Sequence, residues 1–230
     1  KKKVVRPKEF SIQSYEESSF SPSRSESFEL SVSIPKPKKT KKVTVDIYTS
    51  DNDLIRTLEL NTFERKKYHY VVAWDGKDEN GVVVPDEAYI PVVTQTLKSD
   101  KTVIIDRRKD SGGEEVYDFE KNIRSGSIEY SLPENSRVLV RTGVQNGAML
   151  KTVIDWEPRT KGFHAERWNG RDADNLIDIE NHPRVGYLIV GFKLPDYAII
   201  TYGNKNLSYR NYREKHQLPI KKAALSNGFL

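Results

Sequence analysis

The feature that most constrains this chain is that it repeats itself. Trp74-Asp75-Gly76-Lys77-Asp78-Glu79-Asn80-Gly81 returns as Trp168-Asn169-Gly170-Arg171-Asp172-Ala173-Asp174-Asn175. Upstream, Leu54-Ile55-Arg56-Thr57-Leu58 matches Met149-Leu150-Lys151-Thr152-Val153, and Ile34-Pro35 matches Leu132-Pro133. Downstream, Pro85 to Ile90 matches Pro183 to Leu188, which aligns Tyr89 with Tyr187. A set of matches that recurs in the same order marks a duplicated folding unit. The spacings drift only where loops belong, at the Lys-rich stretch 36–42 of the first copy and the Leu176 to His182 insertion of the second. Strand registers are held by ladder and core, whereas surface loops tolerate changes of length.

The local pattern inside each copy has a period of two. Phe28, Leu30, Val32 and Ile34 alternate with Glu29, Ser31 and Ser33, and Val43, Val45 and Ile47 resume after the proline- and lysine-rich break. Such alternation specifies strands with one face buried, and no segment sustains the 3.6-residue period of a helix. The chain is 230 residues long, with 36% hydrophobic and 31% charged residues, which suits two small domains better than one thick core. The expectation is an all-β chain of two tandem Ig-like antiparallel β-sandwiches with extended arms at both ends. The boundaries are an N-terminal arm over 1–19, a first sandwich over 20–97, a linker over 98–126, a second sandwich over 127–202 and a C-terminal tail over 203–230.

The repeated motif reads as scaffold chemistry. Trp74 and Trp168 end strands and bury their indoles between sheets, while Gly76 and Gly170 permit positive φ. Asp78 and Asp172 accept from turn amides, and Tyr89 and Tyr187 begin the return strands with their rings inward. Together with Phe20-Ser21-Pro22, Ser33-Ile34-Pro35 and Tyr130-Ser131-Leu132-Pro133, these motifs resemble the Ig-like module of the flagellar hook-capping protein, the FlgD-type Ig-like domain. The second copy departs from it with Asn169 in place of the first Asp and Asn175 in place of the final Gly. The resemblance implies a non-catalytic building block of secreted and surface-attached bacterial proteins, with no catalytic residues to transfer.

Candidate sites are few. Asp172, Asp174 and Asp178, with Glu180, gather carboxylates that could attract calcium, although the spacing of a calcium-binding loop is absent and solvated turn carboxylates are the expected reading. His69, His164, His182 and His216 are scattered, and there is no cysteine, so no metal or other cofactor is expected. No nucleophile elbow or phosphate-binding loop occurs, and the chain is expected to be no enzyme. A net charge of +5 with both signs interspersed is too dilute for a nucleic-acid binder, and the basic tracts Lys1 to Lys3 and Lys36 to Lys42 lack interleaved aromatics.

No apolar run is long enough to span a membrane as a helix. An exported location is expected, without a leader visible at Lys1 to Pro7. The tail carries Tyr209, Arg210, Tyr212, Arg213 and Phe229, residue types that anchor interfaces, so it and the N-terminal arm are expected to dock on other subunits of a larger assembly. An anionic surface or a polysaccharide is the alternative partner.

Overall fold

A computed structural model describes residues 7–60, 62–64, 69–108, 115–116, 120–205 and 208–216. Its architecture is all-β, two largely antiparallel sandwiches with no described strand common to both. The first sandwich is built from β1 (Ser11–Ile12), β2 (Ser19–Phe20), β3 (Phe28–Ser33), β4 (Thr40–Thr49), β5 (Leu54–Glu59), β6 (Thr62–Glu64), β7 (His69–Trp74), β8 (Ala88–Leu97) and β9 (Thr102–Ile105). The second is built from β10 (Glu115–Val116), β11 (Lys121–Arg124), β12 (Ser127–Leu132), β13 (Ser136–Val144), β14 (Met149–Arg159), β15 (Gly162–Arg167) and β16 (Val185–Lys193). A last strand, β17 (Ile199–Thr201), and a short helix, α1 (Tyr209–Lys215), close the described chain.

The duplication is visible strand by strand. In the first copy β3 pairs with β7 in one sheet, and β8, β4 and β5 are neighbours in the other. In the second copy β12 pairs with β15, and β16, β13 and β14 repeat the second arrangement. The alternation seen in the sequence places Leu30, Val32, Val43, Val45, Ile47 and Val93 in one core with Trp74, and Ile128, Val138, Val140 and Ile189 in the other with Trp168.

Both ends of the described chain, β1 and α1, belong to the first sandwich. β1 pairs with β3 through Ser11↔Ser33 and Ile12↔Val32, and Ile12 is buried. Tyr15 stands edge-on to Phe28 at 4.8 Å, and Phe20 lies against Trp74 at 5.6 Å. The segment expected as an N-terminal arm for a neighbour is therefore anchored on its own chain through β1, Ile12 and Tyr15. The reason is that its apolar residues sit beside an otherwise open edge of β3, and edge strands favour pairing.

A larger correction concerns β17. Its position within the stretch 127–202 assigns it to the second sandwich, yet β17 inserts between β2 and β8. It runs parallel to β2 through Ile200↔Ser19 and antiparallel to β8 through Ile199↔Tyr89. Pro195 and a turn in which Tyr197 holds φ 66 redirect the chain after β16. Ile199 joins the first core, and Leu194, Ala198, Ile200 and Ala88 form a third, smaller cluster. The stretch expected as a linker carries three strands among its described residues: β9 extends the first sandwich on β8, while β10 and β11 extend the second on β16 and β12.

Candidate functional site

The two tryptophan loops are the same structure built twice. Trp74 Nε1 donates to the Lys77 carbonyl at 3.0 Å, and Trp168 Nε1 donates to the Arg171 carbonyl at 2.8 Å. Trp74 is 0% exposed and Trp168 5%. Asp78 Oδ1 accepts from the amides of Asn80 and Val82, each at 2.9 Å, and Asp172 Oδ1 from those of Leu176 and Ile177 at 2.7 and 2.9 Å. Each carboxylate thereby satisfies two amides of its loop, and charged acceptors make the stronger hydrogen bonds. Gly76 and Gly170 hold φ of 69 and 75. A Cβ on Gly76 would stand 2.2 Å from Pro22, so both conformation and space require glycine there.

One difference separates the loops. The amide of Asp78 donates to the Val82 carbonyl, and that of Asp172 to the Ile177 carbonyl, so Leu176 is an extra residue in the second copy. Val82 packs against the first core, whereas Leu176 is 79% exposed and Ile177 45%.

The first loop is covered by the tail. Ser208 caps α1 by accepting from the Asn211 amide, and the helix turns Tyr212 inward. Its ring is 1% exposed within the first core, and its hydroxyl donates to Asp78 Oδ2 at 2.7 Å. Arg213 reaches Asp53 at 3.3 Å and Asp51 at 3.5 Å, on the β4–β5 turn. Of the residues expected to bind partners, Tyr212 and Arg213 are thus engaged on the first sandwich of their own chain. The cause is a buried carboxylate and an acidic turn that match a tyrosine and an arginine one residue apart. Tyr209 and Arg210 lie on α1, and Phe229 lies outside the described residues.

The remaining sequence candidates are dispersed. Tyr89 is buried and donates to the Pro85 carbonyl at 2.9 Å, while Tyr187 is only half-buried and donates to the Lys121 carbonyl at 3.1 Å. Asp174 is exposed. Asp178 accepts from both the amide and the side chain of Asn181, which hold its carboxyl below the usual range. Glu180 accepts from the Gly126 amide at 2.9 Å. Among the described residues no group of three or more metal-ligating side chains converges. His164 contacts the Thr160 carbonyl at 2.7 Å, and the His182 ring accepts from the Arg184 amide. Lys41 and Lys42 pair with Asp100 and Glu59 at the surface.

Sequence reasoning missed the junction. Arg137 of β13 pairs with Glu87, just before β8, and donates to Ser50 Oγ at 3.1 Å. Asn135 donates to Ser18 Oγ at 2.8 Å. Asp86 accepts from the amides of Gly203 and Asn204, yet burial raises its carboxyl overall. Beside the junction, Arg159 donates to Glu166 at 2.7 Å, and Tyr130 donates to the same oxygen at 2.9 Å. Burial opposes ionisation of Glu166, but the Arg159 hydrogen bond and charge outweigh it and hold the carboxyl below its ordinary value.

A cleft of about 810 Å³ opens here, lined in part by Asp86, Arg137, Trp156, Glu166 and Tyr202. Trp156 holds φ 54, a conformation that bulky residues rarely adopt. No single residue pattern announces a junction whose bonded partners, such as Asp86 and Asn204, lie 118 positions apart.

No family model matches the sequence, and neither does any curated protein. Among solved structures, the chain is similar to fibronectin(III)-like modules of Clostridium thermocellum CbhA. That alignment has 10% identity and a TM-score of 0.27, over 87% of this chain and 97% of that one. A likeness of that size carries no argument, and the sandwich fold rests on the strand pairing itself.

Proposed function

We propose that the chain is a non-enzymatic structural and interaction subunit of a bacterial cell-envelope or extracellular multi-protein assembly, exported to work there. The observation that carries this reading is the way the two sandwiches are locked: β17 completes the first sandwich from beyond the second, and Arg137 bridges to Glu87 and Ser50. A body stiffened in this way presents its loops and sheet edges at fixed separations, which suits a spacer between other subunits. The notable carboxylates, Asp78, Asp172, Asp86 and Glu166, are engaged by backbone amides and neighbouring side chains, an arrangement that serves scaffolding. The FlgD-type resemblance of the Trp-Asp-Gly motifs supports the same reading.

The test is native mass spectrometry of the complex carrying the tagged full chain from its source. Stoichiometric partners are expected, and a chain found only as a free monomer would end the proposal. The second reading, an accessory that holds polysaccharide, is favoured by Trp156 and the half-exposed ring of Tyr202 at the cleft, since aromatic faces beside polar groups suit sugars. Affinity electrophoresis on envelope polysaccharides, compared with Trp156→Ala, separates the two.

A further inference from the structure

The duplicated loop of the second sandwich lacks the cover that the first one has. In the first copy the cover is known in detail: a tyrosine from a short amphipathic helix donates to Asp78 Oδ2, and its ring packs in the cluster that contains Val82. In the second copy the counterpart carboxylate, on Asp172, is 7% exposed, and its Oδ1 accepts from two amides of the longer loop, those of Leu176 and Ile177. Among the described residues no side chain caps its Oδ2. The flanking apolar residues, Leu176 and Ile177, face solvent, whereas Val82 is half-buried against the first core. Large apolar side chains grouped at an exposed loop tip mark contact sites.

We propose that the Trp168 loop is a docking site for a tyrosine-bearing amphipathic segment of a partner subunit, seated as α1 is seated on the Trp74 loop. The hydroxyl would donate to Asp172 and the ring would cover Ile177 and Leu176. The inference rests on the assembly reading and names one of its contact surfaces. The occupant is a different protein rather than a second copy's tail, on grounds of charge. The counterparts of Asp51 and Asp53, matched by the hydrogen bonds of the β4–β5 and β13–β14 turns, are Asn146 and Ala148. The carboxylates that hold Arg213 are therefore missing, and the partner carries a neutral residue after its tyrosine.

Two experiments on the full chain test this. The first uses a labelled synthetic peptide of residues 203–216 carrying Arg213→Gln, added to the intact protein. Saturable binding is expected, weakened about tenfold by Tyr212→Phe in the peptide, the scale of one hydrogen bond to a charged group. Leu176→Asp or Ile177→Asp in the protein should weaken it at least as much. Absence of saturable binding, or binding indifferent to both loop substitutions, overturns the proposal.

The second places a photo-crosslinking residue at Leu176, or at the exposed Phe163 of β15, in the source organism. A crosslink from Leu176 to a tyrosine-containing segment of another protein, reduced when that tyrosine becomes phenylalanine, supports the site. A crosslink from Leu176 to residues 203–230 of a second copy overturns it. Crosslinks from Phe163 alone leave the assembly reading standing and remove this surface, while none from either position removes both.

Discussion

The hydroxyl of Tyr212 donates to Asp78 across 134 residues of sequence, and both side chains are buried. The tail thereby completes the loop whose tryptophan closes the first core. Removing the ring should open a cavity in the first core, next to Asp78. Tyr212→Ala is expected to cost about 3–5 kcal/mol, comparable with other buried aromatic truncations. Tyr212→Phe, which leaves only Asp78 Oδ2 without its donor, should cost about 1–3 kcal/mol. Urea denaturation followed by tryptophan fluorescence measures both, and wild-type stability in Tyr212→Ala would show that the tail does not contribute to the fold.

The two tryptophans should be equally indispensable, each to its own core. Trp74→Ala and Trp168→Ala are expected to lose about 3–5 kcal/mol apiece, a large share of a small domain's stability. Because β17 and the Arg137 bridge tie the sandwiches together, calorimetry should show one transition in the native protein. Trp168→Ala should split it, the second sandwich melting first. Two separate transitions in the native chain would refute the coupling.

The insertion of β17 makes a sharper claim on the same coupling. Ile200→Asp places a charge in the small cluster with Ala88, Leu194 and Ala198. Burying an unpaired carboxylate there is costly enough to expel the strand. Hydrogen exchange should then accelerate in β8 and β2, its two neighbours, while β12 and β13 keep their protection. Unchanged protection in β8 would contradict the pairing.

The Arg159, Glu166 and Tyr130 group predicts a pH effect. The Glu166 carboxyl is held below its ordinary value in the folded state, so its stabilising contribution is present above the usual carboxylate range. That contribution is lost as the pH falls through the lowered folded value. Melting temperatures taken across the acid range should fall in the native protein, and Glu166→Gln should flatten part of that fall. Identical profiles for the two proteins would exclude the linkage.

Calcium should leave the melting temperature unchanged. Asp172 Oδ1 already accepts two amides, and the Asp178 carboxyl is occupied by Asn181. A chelator-sensitive shift removed by Asp172→Asn together with Asp174→Asn would reverse that reading.

The internal repeat and the period-two alternation were sufficient to determine the class of fold, the two cores and the roles of Trp74, Gly76, Asp78 and their second-copy counterparts. These are local facts: a turn of given chemistry and a strand with one apolar face specify themselves within a few residues. Which edge a short apolar strand joins is not local. Ile199, Ile200 and Thr201 are all buried and carry no sign of which sheet they join, and only the edge of β8, beside β2, settled that they belong to the first sandwich. The same holds for Tyr212, whose residue type marked it as an anchor without saying of what. Its partner, Asp78, became available only once the loop had folded and left one carboxylate oxygen uncapped, a property of three-dimensional closure that no window of sequence contains.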